Sequence, residues 1–104
     1  MTIVTLTAIH PKPGAKWEDI QKQLKKGCDL ARKHGAENVT TMVNMAGGAT
    51  TGTLSILSTS ADWTSYGKQQ DAVMADPEMM ALMADPNGPI AGWDTYVSQT
   101  IQDM

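Results

Sequence analysis

Apolar and polar residues alternate along residues 2–10. Val4, Leu6, Ala8 and His10 fall on one side of an extended chain, and Thr5, Thr7 and Ile9 on the other. That period of two, in a run rich in β-branched residues, predicts a strand. Pro11 and Pro13-Gly14 end it, because proline has no N–H for a ladder and glycine permits the turn. The period then changes. Trp17, Ile20, Leu24, Cys28 and Ala31 recur every three or four residues and predict a helix from about residue 15 to 34. Lys22, Lys26, Asp29 and Lys33 occupy its opposite face. Leu30 lies off the apolar stripe and is expected to touch something outside the subunit. Gly35 suits the residue that closes a helix in a left-handed conformation.

Residues 38–46 alternate again, with Val39, Thr41, Val43 and Met45 against Thr40, Met42, Asn44 and Ala46. A glycine-bearing connection, Gly47-Gly48 to Gly52, leads as a loose hairpin into a third strand ending near Ser60. It is not a phosphate cradle, since a strand follows it and not a helix N-terminus. Ser60 and Asp62 are good N-cap types, and a second helix is expected from about residue 61. Its apolar arc holds Trp63, Tyr66, Gly67, Gln70, Val73 and Met74. Asp76-Pro77 predicts a break and a fresh helical start, because aspartate caps and proline suits the first helical position. Asp85-Pro86-Asn87-Gly88-Pro89 stops that helix, and residues 93–101 alternate as a fourth strand.

The order is β-α-β-β-α-β. Right-handed crossovers then place two helices on one face of a four-stranded antiparallel sheet, an α+β arrangement of ferredoxin-like type. Its strands carry apolar residues on both faces, yet the helices cover one. The uncovered face is therefore an expected interface, and pairing two such sheets closes a barrel between identical subunits.

Composition narrows the possibilities. A chain of 104 residues is expected to form one domain, 1–104, with a small core that gains from burial against a second subunit. Eight basic and eleven acidic residues give a net charge of −3, which argues against nucleic-acid binding. Five of the basic residues (Lys22, Lys25, Lys26, Arg32, Lys33) share one helix and read as a solvated face. The single Cys28 cannot form an internal disulfide, and the first residues read as a strand and not a signal peptide. Together these point to a reducing, cytoplasmic setting. No apolar run approaches the roughly 20 residues that span a bilayer. Eight Met and no Phe suit a pliable pocket wall or ordinary irregular packing. Two histidines and one cysteine, all far apart, give no metal-ligand spacing, and no cofactor is expected.

Several stretches resemble the dimeric α+β barrel superfamily, most of all its small stand-alone members of unknown function and the NIPSNAP-like group. They are Pro13 and Trp17, His34-Gly35-Ala36, the Gly47-Gly48…Gly52 link, residues 60–67 with Ser60, Asp62, Trp63 and Tyr66, and residues 74–82. The resemblance implies a homodimer with a ligand cavity in each subunit between helices and sheet. Because the superfamily hosts monooxygenases, isomerases, haem enzymes and proteins of no known activity, it implies no single function.

With the cavity so placed, the helix arcs name its lining: Trp17 from the first helix, and Trp63, Tyr66 and Gln70 from the second. Gln70 either binds a ligand or caps a strand backbone group, since a buried amide needs partners. His10 has a side chain suited to acid–base work at neutral pH, or it is structural. His34, in the last turn of a helix, is structural. Related cofactor-independent monooxygenases use a strand Asn, a Trp and a His, and this chain owns Asn44, Trp63 and His10, although its first strand has no Asn. Three functions therefore stand side by side. One is a homodimer binding a small, mostly apolar or aromatic molecule. The second is a cofactor-independent monooxygenase or isomerase for a small aromatic substrate, with His10, Asn44 and Tyr66 as its catalytic groups. The third is a structural or assembly module.

Overall fold

The computed structural model describes residues 2–46, 48 and 52–102. Within them lie four strands and three helices: β1 (Ile3–Pro11), α1 (Trp17–Lys33), β2 (Glu37–Val43), β3 (Leu54–Ser60), α2 (Trp63–Ala75), α3 (Pro77–Ala84) and β4 (Ile90–Gln99). The four strands form one antiparallel sheet in the order β2-β3-β1-β4, and the helices lie on one side of it. This is the ferredoxin-like arrangement expected from the alternation, with the second helix split in two at Asp76-Pro77. Gly47, Ala49, Thr50 and Thr51 of the glycine-bearing connection lie outside the described residues.

The helix ends follow from the sequence. The α1 helix opens with Glu18 and Asp19 and closes with Arg32 and Lys33, each sign matching the helix dipole. At its end Gly35 takes a φ of 101°, and the N–H groups of Gly35 and Ala36 bond back to the carbonyls of Arg32 and Ala31. That reversal needs a residue without Cβ strain. Asp62 caps α2 by accepting the Ser65 N–H at 2.8 Å, and Asp76 caps α3 by accepting the Glu78 N–H at 2.9 Å.

Register settles which strand row meets the helices. Across the sheet Val43, Leu54, Ile9 and Trp93 form one row, and Thr41, Ile56, Thr7 and Thr95 the next. Ile9 is fully buried, and with Ile20, Leu24, Leu54 and Ile90 it makes the main core, against which Ala15, Ile56 and Trp93 pack. The intervening rows face away from the helices. Thr40, Leu57, Leu6 and Tyr96 cross the sheet on that open face, flanked by Val4, Ala8 and Met42. Tyr96 is 58% and Met42 40% exposed, so the open face presents apolar surface.

Leu30 departs from expectation. It is buried within the subunit, where α1 packs against α3. The same contact carries the Gln23 side-chain amide, which donates to the Leu82 carbonyl at 3.2 Å.

Candidate functional site

The main core fills only one end of the space between helices and sheet. Beside it, the chain supplies residues too small or too polar to fill the remainder. From α1 come Gly27 and Ala31. The strands contribute Thr5 and Thr7 of β1, Ser58 of β3 and Thr95 of β4. Ile56 and Trp93 form the boundary with the core. The result is a cavity of about 170 Å³, covered by Gln69, Gln70, Val73 and Met74 of α2 and by Met79, Leu82 and Met83 of α3.

Its mouth can be read from exposure. Met74, Met83 and Thr95 line the cavity and are also exposed to solvent. The opening therefore lies between the α2–α3 pair and the β4 edge. Methionine is well suited to such a rim, because three rotatable bonds let it follow different shapes.

The polar groups inside are all uncharged. The Thr7 and Thr95 hydroxyls share a hydrogen bond of 3.3 Å across neighbouring strands. The buried Ser60 hydroxyl donates to Gln69 Oε1 at 2.8 Å, which fixes the Gln69 amide and directs its nitrogen elsewhere. The Gln70 side chain has no hydrogen-bond partner among the described residues. Among the described residues no Asp, Glu, Lys, Arg or His lines the cavity.

Of the residues named from sequence, Gln70 lines this cavity. Trp17, Trp63 and Tyr66 do not. Trp17 is the first residue of α1, 54% exposed, and borders a separate groove with Leu24, Thr41, Met42 and Val43. Trp63 is the first residue of α2, where its indole N–H donates to Gln99 Oε1 at 2.8 Å and its ring meets Tyr66 edge-on. Both tryptophans lie in the first turn of their helix. A helical side chain leans toward the N-terminus, so here it leans off the helix end, Trp63 to the end of β4 and Trp17 to the β2 edge, and away from the cavity.

His10 and Asn44 lie on the open face of the sheet. His10 Nε2 sits 2.8 Å from Asp94 Oδ2, an acidic partner on β4. Asn44 follows β2, and its amide donates to Thr53 Oγ1 at 2.7 Å. Continuing the Ile9–Leu54–Val43 row by one residue puts His10 and Asn44 two strands apart, about 10 Å, at the same sheet end. Tyr66 is on the other side of the sheet, in the first turn of α2. The three residues do not form one site.

A third cluster ties the helices together. Asp76, buried at the α2–α3 junction, accepts a 2.6 Å hydrogen bond from His34 Nε2, with Lys33 Nζ 3.8 Å away. The bond from His34, reinforced by the Glu78 N–H, holds the Asp76 carboxyl below the usual carboxylate range. Burial pushes the Cys28 thiol up, against the pull of Arg32. Among the described residues no group of three His, Cys, Asp or Glu side chains is placed to hold a metal ion, and no helix is long and apolar enough to cross a membrane.

Sequence reasoning missed Thr5, Thr7, Ser58, Gln69 and Thr95. Thr5 and Thr7 were visible as part of one row of the first strand, and Thr95 as part of a row of the fourth. What the sequence lacked was the fact that the Thr5/Thr7 row, and not the Val4/Leu6 row, meets the helices.

No family model and no curated protein matches the chain. Its fold is that of several solved structures. A NIPSNAP domain protein from Burkholderia xenovorans, described as uncharacterized, superposes with a TM-score of 0.74 at 13% identity over 98% of this chain and 97% of that one. A NIPSNAP family protein of unknown function from Agrobacterium tumefaciens gives 0.73 at 13% identity, covering 99% and 91%. A DABB family protein with a ferredoxin-like fold from Mesorhizobium loti gives 0.69 at 12% identity, covering 97% and 99%. At such identities the likeness is one of fold.

Proposed function

We propose that this chain works as a homodimer, paired through its open sheet faces, in which each subunit holds a small, mostly apolar molecule between helices and sheet. The observation that carries the ligand reading is the cavity of about 170 Å³ beside a well-packed core. Protein interiors are normally filled to crystal-like density. A pocket of this size reaching in beside the core, open to solvent at one side, with a polar floor and a methionine rim, is consistent with a binding role more than with a purely structural module. The homodimer reading is supported by the apolar row Leu57–Leu6–Tyr96 on the face the helices leave open. The test is thermal unfolding against a panel of aromatic and quinone metabolites. Ligands that bind the folded state raise Tm, and the stabilisation grows as the logarithm of their concentration over Kd. A panel with no effect at millimolar concentration counts against the pocket.

A cofactor-independent oxygenase or isomerase is the second reading, and the His10–Asp94 pair favours it. A carboxylate beside an imidazole fixes its tautomer and orientation, as acid–base chemistry needs. On this reading Asn44 and the His10–Asp94 pair act on the open face, and Tyr66, on the other side of the sheet against Trp63, takes no part. Oxygen uptake and isomerisation assays on the same panel decide it. Turnover that is unchanged in a His10→Ala, Asn44→Ala double variant removes it.

A further inference from the structure

Resting on the ligand reading just given, we infer that the cavity selects an uncharged, single-ring molecule carrying a hydroxyl or carbonyl oxygen. Three observations on the lining lead there independently.

The first is charge. Hydroxyls, carboxamides, thioethers, the Trp93 indole and hydrocarbon make up the lining, with no ionisable group among its described residues. An ion entering such a space loses its water and meets no counter-charge, so anions and cations are rejected alike.

The second is size. A cavity of about 170 Å³ compares with engineered cavities of about 150 Å³ that take up benzene. It suits one six-membered ring with a short substituent. A fused second ring would have to project through the Met74 and Met83 rim.

The third is unmet hydrogen-bonding capacity. Gln69 is buried, and Ser60 occupies its oxygen. Its amide nitrogen has no partner among the described residues, yet no enclosed side-chain polar atom is left unsatisfied. That nitrogen must therefore touch open space, and Gln69 borders the cavity. The Gln70 amide is free to donate and accept, and the Thr7–Thr95 hydroxyl pair adds further capacity on the floor. An oxygen on the ring satisfies these groups. A pure hydrocarbon leaves them dry and unpaired, which is costly.

The test is calorimetric titration of the whole protein at neutral pH with four probes of one framework: p-cresol, toluene, p-toluate and 2-naphthol. The expected order is p-cresol first, toluene about tenfold weaker for want of the oxygen, and p-toluate weaker than p-cresol by about a hundredfold or more. The naphthol should bind no better than toluene. Gln70→Leu should cut p-cresol affinity about five- to tenfold and leave toluene within about threefold. Thr95→Val, at an exposed edge-strand position, gives the same contrast if Gln70→Leu disturbs the helix. Preference for p-toluate or 2-naphthol, or equal affinity for p-cresol and toluene, overturns the ligand class and leaves the pocket reading standing. Binding of none of the four overturns both.

Discussion

Leu57→Asp tests the homodimer where the open face is most apolar. Leu57 sits mid-sheet, between Thr40 on β2 and Leu6 on β1, and Leu6 is followed by Tyr96. Its side chain is already half-buried by these neighbours. Covering the rest against a second sheet is worth about 1 kcal/mol, half of the usual value for a fully buried leucine. An aspartate there must also give up water, at a cost of about 1–3 kcal/mol or more. The loss is then roughly 2–4 kcal/mol per copy. A two-fold interface counts each substitution twice, giving about 4–8 kcal/mol. At 1.4 kcal/mol per tenfold, the dimer should weaken by about 10³- to 10⁶-fold. Sedimentation velocity over a concentration series reads this directly, against a subunit mass of 11.2 kDa. Far-UV circular dichroism should be unchanged, because the substituted row faces away from the core. The exposed helix position Lys25 serves as control, and Lys25→Asp should leave the dimer intact. A wild-type chain that sediments at 11.2 kDa at tens of micromolar, or a Leu57→Asp variant with unaltered association, refutes the reasoning.

Three further outcomes follow from the same geometry. Ile9 is fully buried in the main core, so Ile9→Ala should destabilise by about 2–5 kcal/mol in urea unfolding and lower Tm by roughly 10–25 °C. The Asp76 carboxyl is held below its ordinary range by His34 and the Glu78 N–H. Its contribution is therefore present above the unfolded carboxylate value of about 3.9 and lost as pH falls through the lower folded value. The stability gap between wild type and Asp76→Asn, measured by thermal unfolding, should shrink as pH falls through the acid range where the Asp76 carboxyl protonates. Cys28 is buried with its thiol pushed up, so its reaction with a disulfide reagent should be about 100-fold or more slower than that of free cysteine, and become fast only on unfolding.

The elements were legible because their signals are local. The Asp62 cap, the Asp76-Pro77 restart and the Gly35 reversal each follow from one or two residues whose backbone preferences or side-chain acceptors leave few alternatives. The cavity lining was less legible, for two physical reasons. First, β1 carries apolar side chains on both rows: Ile3 and Ile9 on one, Val4 and Leu6 on the other. Alternation gives the two rows but not which one the helices cover. That choice depends on the other strands and on helix placement, which are non-local. Second, bulky apolar residues in a helical arc were expected to point inward, yet Trp17 and Trp63 stand in first turns that overhang the sheet. The buried face of α2 is centred one residue away from the expected arc. Gln69 is enclosed, while Gln70 is half-exposed at the cavity. An amide held by Ser60 substitutes there for an apolar contact, a pairing that becomes visible only once strand and helix are side by side.

The methionines provide the most direct measurement of the ligand claim. Met74, Met79 and Met83 border the cavity between helices and sheet, whereas Met42 lies on the open face. With ¹³C-methyl-labelled methionine, titration with p-cresol should shift the Met74, Met79 and Met83 resonances together, with one common affinity, and leave Met42 still. If those three resonances stay in place to millimolar ligand, or if Met42 alone moves, the helix–sheet cavity is not where this protein binds.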